Sequence, residues 1–339
     1  MPKQLLRWAI TILLVIAVVG VRLYFLLNGV LDQIPRIDPD ETFSVTEQTT
    51  AATQKNEETD ATLPSDTTCS TEPADVVPTD DNVINILLIG HNGNNRKSTG
   101  TTNTMLLCTL NKSLNKLTLT SFHSDLWVYI PGHGDQVLCQ SGKLGGVKLL
   151  NETLVHNFGI KADYNIMIDL HSFADAIDAI GGIDVTLLEG EAQCLNSYAL
   201  RDSAVNEKWD LEAGKNTLTG MQVLSYSRME ERGTDFGRTD RQRIVVSAML
   251  SKLKTLDIDT AAAHVNALLK MVSTDMTNDQ IIALIADLIV LPDGLQIVSQ
   301  NIPTNGNYAL DTKGDSMVLT MTKEQLEQNR KHLAALCGE

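Results

Sequence analysis

Positive charge is in short supply in this chain of 339 residues: 27 lysines and arginines stand against 42 aspartates and glutamates, a formal net charge of -15. A duplex-DNA binder needs a cationic face to neutralise phosphates, so the balance argues against one, and no nucleic-acid partner is expected. Aromatic residues make up only 4% of the chain, and a core must therefore be filled by aliphatic side chains from the 43% hydrophobic fraction. Cysteines are few and carry no metal pattern. Cys69, Cys108, Cys139, Cys194 and Cys337 are odd in number and contain no CxxC pair, which argues against a disulfide framework and against a structural zinc site. Cys139 and Cys194 are open to two readings, an extracellular pair or two free thiols. No internal repeat is present.

What the chain does have begins at its N-terminus. From Trp8 to Val21 every residue except Thr11 is apolar or small, and the run resumes after Arg22 through Leu27. As a helix, Trp8 to Leu27 covers about 30 Å, the hydrocarbon thickness of a bilayer. Arg22 lies near one end and can snorkel, with Trp8 and Tyr24 as interfacial anchors. Lys3 and Arg7 precede the run and acidic residues follow it, so the positive-inside rule places residues 1–7 in the cytoplasm, residues 8–28 in the membrane and the rest outside. The competing reading is a cleaved leader, but the run exceeds an ordinary h-region and no A-x-A site follows.

Residues 29–81 then change character. Thr, Ser, Pro, Asp and Glu abound, and no periodicity survives. Such a stretch cannot offset its ordering entropy by burial, and is expected to be a disordered acidic linker, a tether with a root-mean-square span of about 40 Å. The folded part starts with the aliphatic run Val83 to Gly90, a strand buried on both faces. Further strands are expected at 105–110, 117–122, 127–130, 164–170, 183–187 and 295–302, and helices at 147–158, 172–180, 239–256, 260–272, 277–288 and 323–336. Strands interleaved with helices point to a layered α/β domain, with a core over 82–256 and a C-terminal extension over 257–339 that completes it.

Arginine is unevenly spread. Five of eleven, Arg228, Arg232, Arg238, Arg241 and Arg243, fall between 228 and 243. Thr239 followed by Gln242 fits a capping box, which would crowd Arg238, Arg241 and Arg243 at a helix N-terminus where the dipole disfavours cations. That crowding makes sense around a bound anion such as a phosphate or pyrophosphate. The bland alternative is a set of surface ion pairs with Glu230, Glu231, Asp235 and Asp240. His123 is similarly open, between a proton-transfer role and an ordinary loop histidine.

Across residues 82 to about 256 the chain resembles the LytR-CpsA-Psr (LCP) family of membrane-anchored cell-envelope proteins. The carrying segments are Val83–Gly90, Asn103-Thr104-Met105-Leu106-Leu107, Asp125 with Val128-Tyr129-Ile130-Pro131-Gly132, and Asp178 to Val185 with its Gly181-Gly182 pair. Two more specific ones complete the set, Leu218 to Arg228 and Asp235-Phe236-Gly237-Arg238-Thr239-Asp240-Arg241-Gln242. The resemblance implies a three-layer αβα domain with a central mixed sheet. It also implies a phosphotransferase of Gram-positive envelopes that takes a glycopolymer, such as a teichoic acid or capsular polysaccharide, from a polyprenyl-pyrophosphate carrier to a peptidoglycan hydroxyl. In that family Arg228, Arg238, Arg241 and Gln242 would grip the pyrophosphate. Asp125, Arg238 and Arg241 would be catalytic, and Asp125 with Asn103 would hold Mg²⁺ or Mn²⁺.

The chain departs from the pattern in four places. Asn103 replaces an aspartate, Ser124 an arginine, Glu230 the second arginine of a pair, and Val137-Leu138-Cys139 a Lys-x-Asn. An amide carbonyl can meet a hard cation but brings no charge, and serine does not repair the loss of a bidentate guanidinium. Arg96, Lys97, Lys143 or Arg232 are candidates to compensate. Two other outcomes therefore stand beside transfer: a substituted homologue that binds lipid-linked glycan as a scaffold, and a polyprenyl-pyrophosphate hydrolase.

Overall fold

A computed structural model describes residues 31–38, 73–77, 81–92, 101–199, 208–229, 236–255, 271–290 and 295–338. The first elements are β1 (Val83–His91), β2 (Thr102–Asn111) and β3 (Lys116–Phe122), followed by the hairpin β4 (Trp127–Ile130) and β5 (Gly134–Val137). Next come α1 (Gln140–Phe158), β6 (Tyr164–Asp169), α2 (Leu170–Ala179), β7 (Ile183–Leu187), α3 (Glu189–Ala199), β8 (Gly214–Leu218), α4 (Gly220–Arg228) and α5 (Phe236–Thr255). The described chain closes with β9 (Ser273–Thr274), α6 (Asn278–Val290), β10 (Gln296–Ile302), β11 (Ala309–Lys313), β12 (Ser316–Thr320) and α7 (Lys323–Gly338).

Six strands form one sheet in the order β10-β3-β2-β1-β6-β9. β1 and β6 are parallel, β10 and β3 are parallel, and β2 runs antiparallel between β1 and β3. Strands β1, β3, β6 and β10 therefore all end on the same edge, at His91, Phe122, Asp169 and Ile302. The sheet is mixed, as the α/β reading requires, and it is buried on both faces. One face packs Leu87, Ile89 and Phe122 against Leu150 and Leu154 of α1 and Leu326 and Leu333 of α7. The other packs Leu106, Leu110 and Leu119 against Val246 and Leu250 of α5 and Leu284 of α6. A third cluster joins α2, α3, α4 and the β7–β8 hairpin to Val245 of α5. These two sheet faces give the three αβα layers. β10, from the C-terminal extension, is an integral strand, since it pairs with β3 along seven residues.

Two parts of the expected linker are not disordered. Leu31 and Ile34 are 1% and 3% exposed and pack against Met276 and Ile281, while Arg36 bridges Thr274. Residues 73–77 lie along the end of α1, where the Ala74 amide donates to the His156 carbonyl at 2.8 Å and the Val77 amide to the Gly159 carbonyl at 2.9 Å. A Cβ on Gly159, which ends α1 at φ 70°, would come within 2.1 Å of the Asp75 carbonyl, so only glycine allows that approach. Each short segment has apolar anchors and backbone partners, which composition averaged over 29–81 conceals. The expected membrane span over 8–28, the bulk of the linker and most of the helix expected at 260–272 lie outside the described residues. Among the described residues no helix is long and apolar enough to cross a membrane.

Candidate functional site

The site is built where α5 crosses the shared C-terminal edge of the sheet, the usual place for ligand sites in open α/β sheets. Met105 is the first residue of β2 paired in register with β3, opposite Phe122. Asn103 lies two positions before it and Ser124-Asp125 two to three beyond Phe122, so all three belong to this edge. The loop carrying them is tied down from the far side. The Cys139 amide donates to the Ser124 carbonyl at 3.0 Å, the Leu319 amide to the Asp125 carbonyl at 3.0 Å, and the Thr102 amide to the Cys139 carbonyl at 3.2 Å. Val137-Leu138-Cys139 thus holds this loop through the Cys139 backbone, while the Leu138 side chain is buried in the core.

Helix α5 supplies the cations. It starts at Phe236, three residues earlier than the expected cap, so Thr239 lies within the helix; its hydroxyl donates to Asn301 Oδ1 at 2.9 Å instead of capping. The reach-back of a glutamine to a threonine amide occurs at α4, where Thr219 N–H donates to Gln222 Oε1 at 2.9 Å. Arg238 donates through Nη2 to Ser124 Oγ at 2.7 Å, and the Ser124 hydroxyl donates to Asp125 Oδ1 at 3.2 Å. The chain therefore brings together Arg238, Ser124 and Asp125, a cation and a carboxylate joined through a hydroxyl that is 4% exposed.

The other expected ligands are placed differently. Arg241 is 3% exposed: its Nη1 lies 3.5 Å from Glu191 Oε1 and its Nη2 donates to the Met229 carbonyl. Glu191 is fixed in turn, since its Oε2 accepts from the Leu188 amide at 3.0 Å at the start of α3. Arg243, noted in the sequence only as part of the cluster, is 6% exposed and donates to Ser121 Oγ at 2.9 Å, to Asn301 and to Asp240. Burial lowers its basicity and the Asp240 carboxylate opposes that shift. The expected Asp240 ion pair is thus present, bound to a buried arginine instead of a solvated one. Arg228 is exposed at the end of α4, one residue from the carbonyl that Arg241 holds, and Gln242 is half-buried on α5. Asn103 is exposed. Arg232, Glu230, Asp235, Arg96 and Lys97 lie outside the described residues, and Lys143 is exposed on the first turn of α1.

Two features escaped sequence reasoning, Tyr226 and the His91–Asp169 pair. Tyr226 is 1% exposed, and its phenol is pushed up to about 12 by burial and by the Glu191 charge, with Arg241 acting the other way. His91 and Asp169 face each other in register at the ends of β1 and β6. Burial lowers His91 against the pull of Asp169. Burial would raise Asp169, but the Ser172 amide and hydroxyl, the His171 amide and the His91 charge hold it below the usual carboxylate value. His123, open in the sequence between a proton-transfer role and an ordinary loop histidine, lies between β3 and β4 and is fully enclosed, and its amide donates to the Ile302 carbonyl at 3.0 Å. Cys139 and Cys194 are both free thiols, as is Cys108, which burial pushes up to about 12.

Metal fit is limited. Among the described residues no three His, Cys, Asp or Glu side chains gather to hold an ion. Asp125 and the uncharged Asn103 make a poor resident site for a hard dication, which ordinarily uses one or two carboxylates together with substrate phosphates.

Comparison with known proteins agrees with this architecture. The chain is 29% identical over 199 residues to an Enterococcus faecalis protein named polyisoprenyl-teichoic acid–peptidoglycan teichoic acid transferase TagU, covering 57% of this chain and 60% of that one. It is 29% identical over 267 residues to biofilm regulatory protein A of Streptococcus mutans, covering 74% and 63%. The chain spans about 60% of the length of these relatives. Among solved structures, Bacillus subtilis TagT (YwtF) with bound octaprenyl pyrophosphate matches with a TM-score of 0.60 at 20% identity, over 80% of this chain and 98% of that one. A Streptococcus agalactiae protein matches with a TM-score of 0.62 at 26% identity, over 75% and 87%. The LytR-CpsA-Psr family model matches residues 42–335. On that match, which takes in every strand of the central sheet, the chain belongs to the LytR-CpsA-Psr family.

Proposed function

We propose that the protein is a membrane-anchored, outward-facing transferase that moves a phosphate-linked glycopolymer from a polyprenyl-pyrophosphate carrier to a peptidoglycan hydroxyl. The observation that carries this reading is the Arg238–Ser124–Asp125 chain at the C-terminal edge of the sheet. Pyrophosphate cleavage asks little covalent chemistry of a protein; it needs positioning and a cation where charge collects on the departing lipid phosphate. Arg238 supplies the cation. Asp125 would orient the incoming hydroxyl and take its proton. Arg228, exposed at the end of α4, and Gln242 add contacts to the glycan-side phosphate, while Arg241 contributes its charge from within the fold, held by Glu191 and the Met229 carbonyl. The relatives named as teichoic acid transferases and the fold shared with a polyprenyl-pyrophosphate complex support the substrate class.

A magnesium or manganese ion would enter with the substrate's phosphate oxygens and meet Asp125, with Asn103 as a neutral ligand; its contribution is further charge neutralisation. Residues 8–28 would hold the chain in the cell membrane, with residues 1–7 in the cytoplasm and the folded part outside.

A second reading has its own support. Asn103 brings no charge, Ser124 stands where the family pattern has arginine, and Arg241 is neutralised by Glu191. A protein with these features can retain a lipid-linked glycan as a scaffold, or release it to water, without transferring it. The test incubates the full-length protein with a lipid-linked glycan, Mg²⁺ and peptidoglycan oligomers, alongside Arg238→Ala. Transfer lost in the variant supports the first reading; glycan released as a free phosphate supports hydrolysis; Arg238-dependent retention without turnover supports the scaffold. Neither retention nor turnover removes all three.

A further inference from the structure

The short segment after the apolar N-terminal run is built into the domain, and that placement has a consequence for how the domain meets lipid. Leu31 and Ile34 are buried with Met276 and Ile281, and Tyr164 at the start of β6 packs on the same patch. Backbone pairing continues the sheet one step past β9: the Ile37 amide donates to the Thr274 carbonyl at 3.0 Å and the Thr274 amide to the Pro35 carbonyl at 3.1 Å. Arg36 fastens the turn, donating to the Leu31 carbonyl at 3.3 Å, to the Met276 carbonyl and to Asn278. Asn278 closes the ring by donating to Asp32 Oδ1 at 2.7 Å. Apolar burial, ladder pairing and a multidentate arginine act on one stretch of eight residues.

Leu31 follows Leu27, the last residue of the apolar run, by four positions. Four residues reach at most about 14 Å. We propose that residues 31–38 act as a juxtamembrane clamp, which holds the corner between β9 and the start of α6 against the lipid surface and fixes the orientation of the whole domain. The proposal rests on reading residues 8–28 as a membrane span. The opposite edge, where β6 ends at Asp169, then stands one strand length from the clamped corner, about 17 Å at 3.3 Å per residue. A 50-residue tether would let that edge point anywhere; the clamp gives it one direction, so a lipid-linked substrate meets the arginine edge in one geometry.

The test uses the full-length protein in nanodiscs of phosphatidylethanolamine and phosphatidylglycerol. A photoreactive p-benzoylphenylalanine replaces either Asp279, exposed beside the clamp on α6, or Leu310, exposed on the β11–β12 hairpin. Lipid adducts should form several-fold more at position 279, and the double variant Arg36→Ala with Asn278→Ala should level the two yields while circular dichroism stays unchanged. Equal yields in the otherwise unaltered protein overturn the proposal. An alkaline carbonate wash beforehand separates the two failures: release of the protein refutes the membrane span itself. Amide exchange at Ile37 and Thr274 reports the clamp without reference to lipid, and rapid exchange at both would refute it.

Discussion

Arg241 and Glu191 illustrate how a side chain's surroundings decide its use. A guanidinium that is 3% exposed cannot be left without a counter-charge, and here the acid comes from a helix 50 residues earlier in the chain. Glu191→Gln should therefore destabilise the fold by about 3–5 kcal/mol. Glu191→Gln combined with Arg241→Gln should cost less than the sum of the single changes, as read from urea midpoints in a double-mutant cycle. Additive costs would mean that the two side chains do not interact. His91 gives a pH prediction. Its folded value lies below the ordinary 6.5, so the unfolded chain binds more protons and stability falls as pH drops below about 6.5. Asp169, also held low, loses its contribution in the same direction but at more acid pH, below the ordinary 3.8. In His91→Gln the decline in urea midpoint between pH 6.5 and 5.5 should shrink; an unchanged decline would clear His91 of the effect. At this scale the sequence was informative about Arg238, because five arginines crowding a short span demand an anion or partners. It was silent about Glu191 and Asn301, since no spacing rule announces a contact between residues so far apart in the chain.

Among the elements, long apolar runs and 3.6-residue patterns were legible and short polar pieces were not. β1, β3, β6 and the second part of α1 follow directly from their aliphatic spacing. β8 reads Gly-Lys-Asn-Thr-Leu and owes its strand to pairing with β7, a tertiary cause. Helix α3 has only Ala192, Leu195 and Ala199 buried, too thin a stripe to announce itself. The start of α5 was misplaced because Thr239 has the residue type of a cap but spends its hydroxyl on Asn301. Helix α4 packs unusually close to α2: the Gly220 amide donates to Asp178 Oδ1 at 2.7 Å, and a Cβ there would meet the Ala174 carbonyl oxygen at 2.0 Å. Gly220→Ala should accordingly cost about 1–3 kcal/mol by forcing the helices apart. It should also lower glycan retention, because α4 carries Arg228 and is followed directly by Met229, whose carbonyl holds Arg241. Retention and thermal midpoint measured together would check this; a silent substitution would show that the two helices can separate freely.

For the molecule as a whole, the α/β class and the positions of the main strands along the chain were legible, while the way the two ends of the chain join the body was not. β10 covers the edge of β3, and Ile302, Leu319, Leu326 and Leu333 complete the core under α1. A chain stopped at residue 256 would expose that edge and core together, so it should fail to give a cooperative unfolding transition, whereas one ending at 338 should unfold in a single step. At the other end, residues 31–38 hold one side of the domain and residues 73–77 another. The chain is therefore seated on the body on either side of residues 39–72. A single protease cut within 39–72 would leave the piece bearing Leu31 and Arg36 seated on Thr274 and Asn278. The two pieces of nicked protein should co-elute on gel filtration, and their separation would require that seat to open.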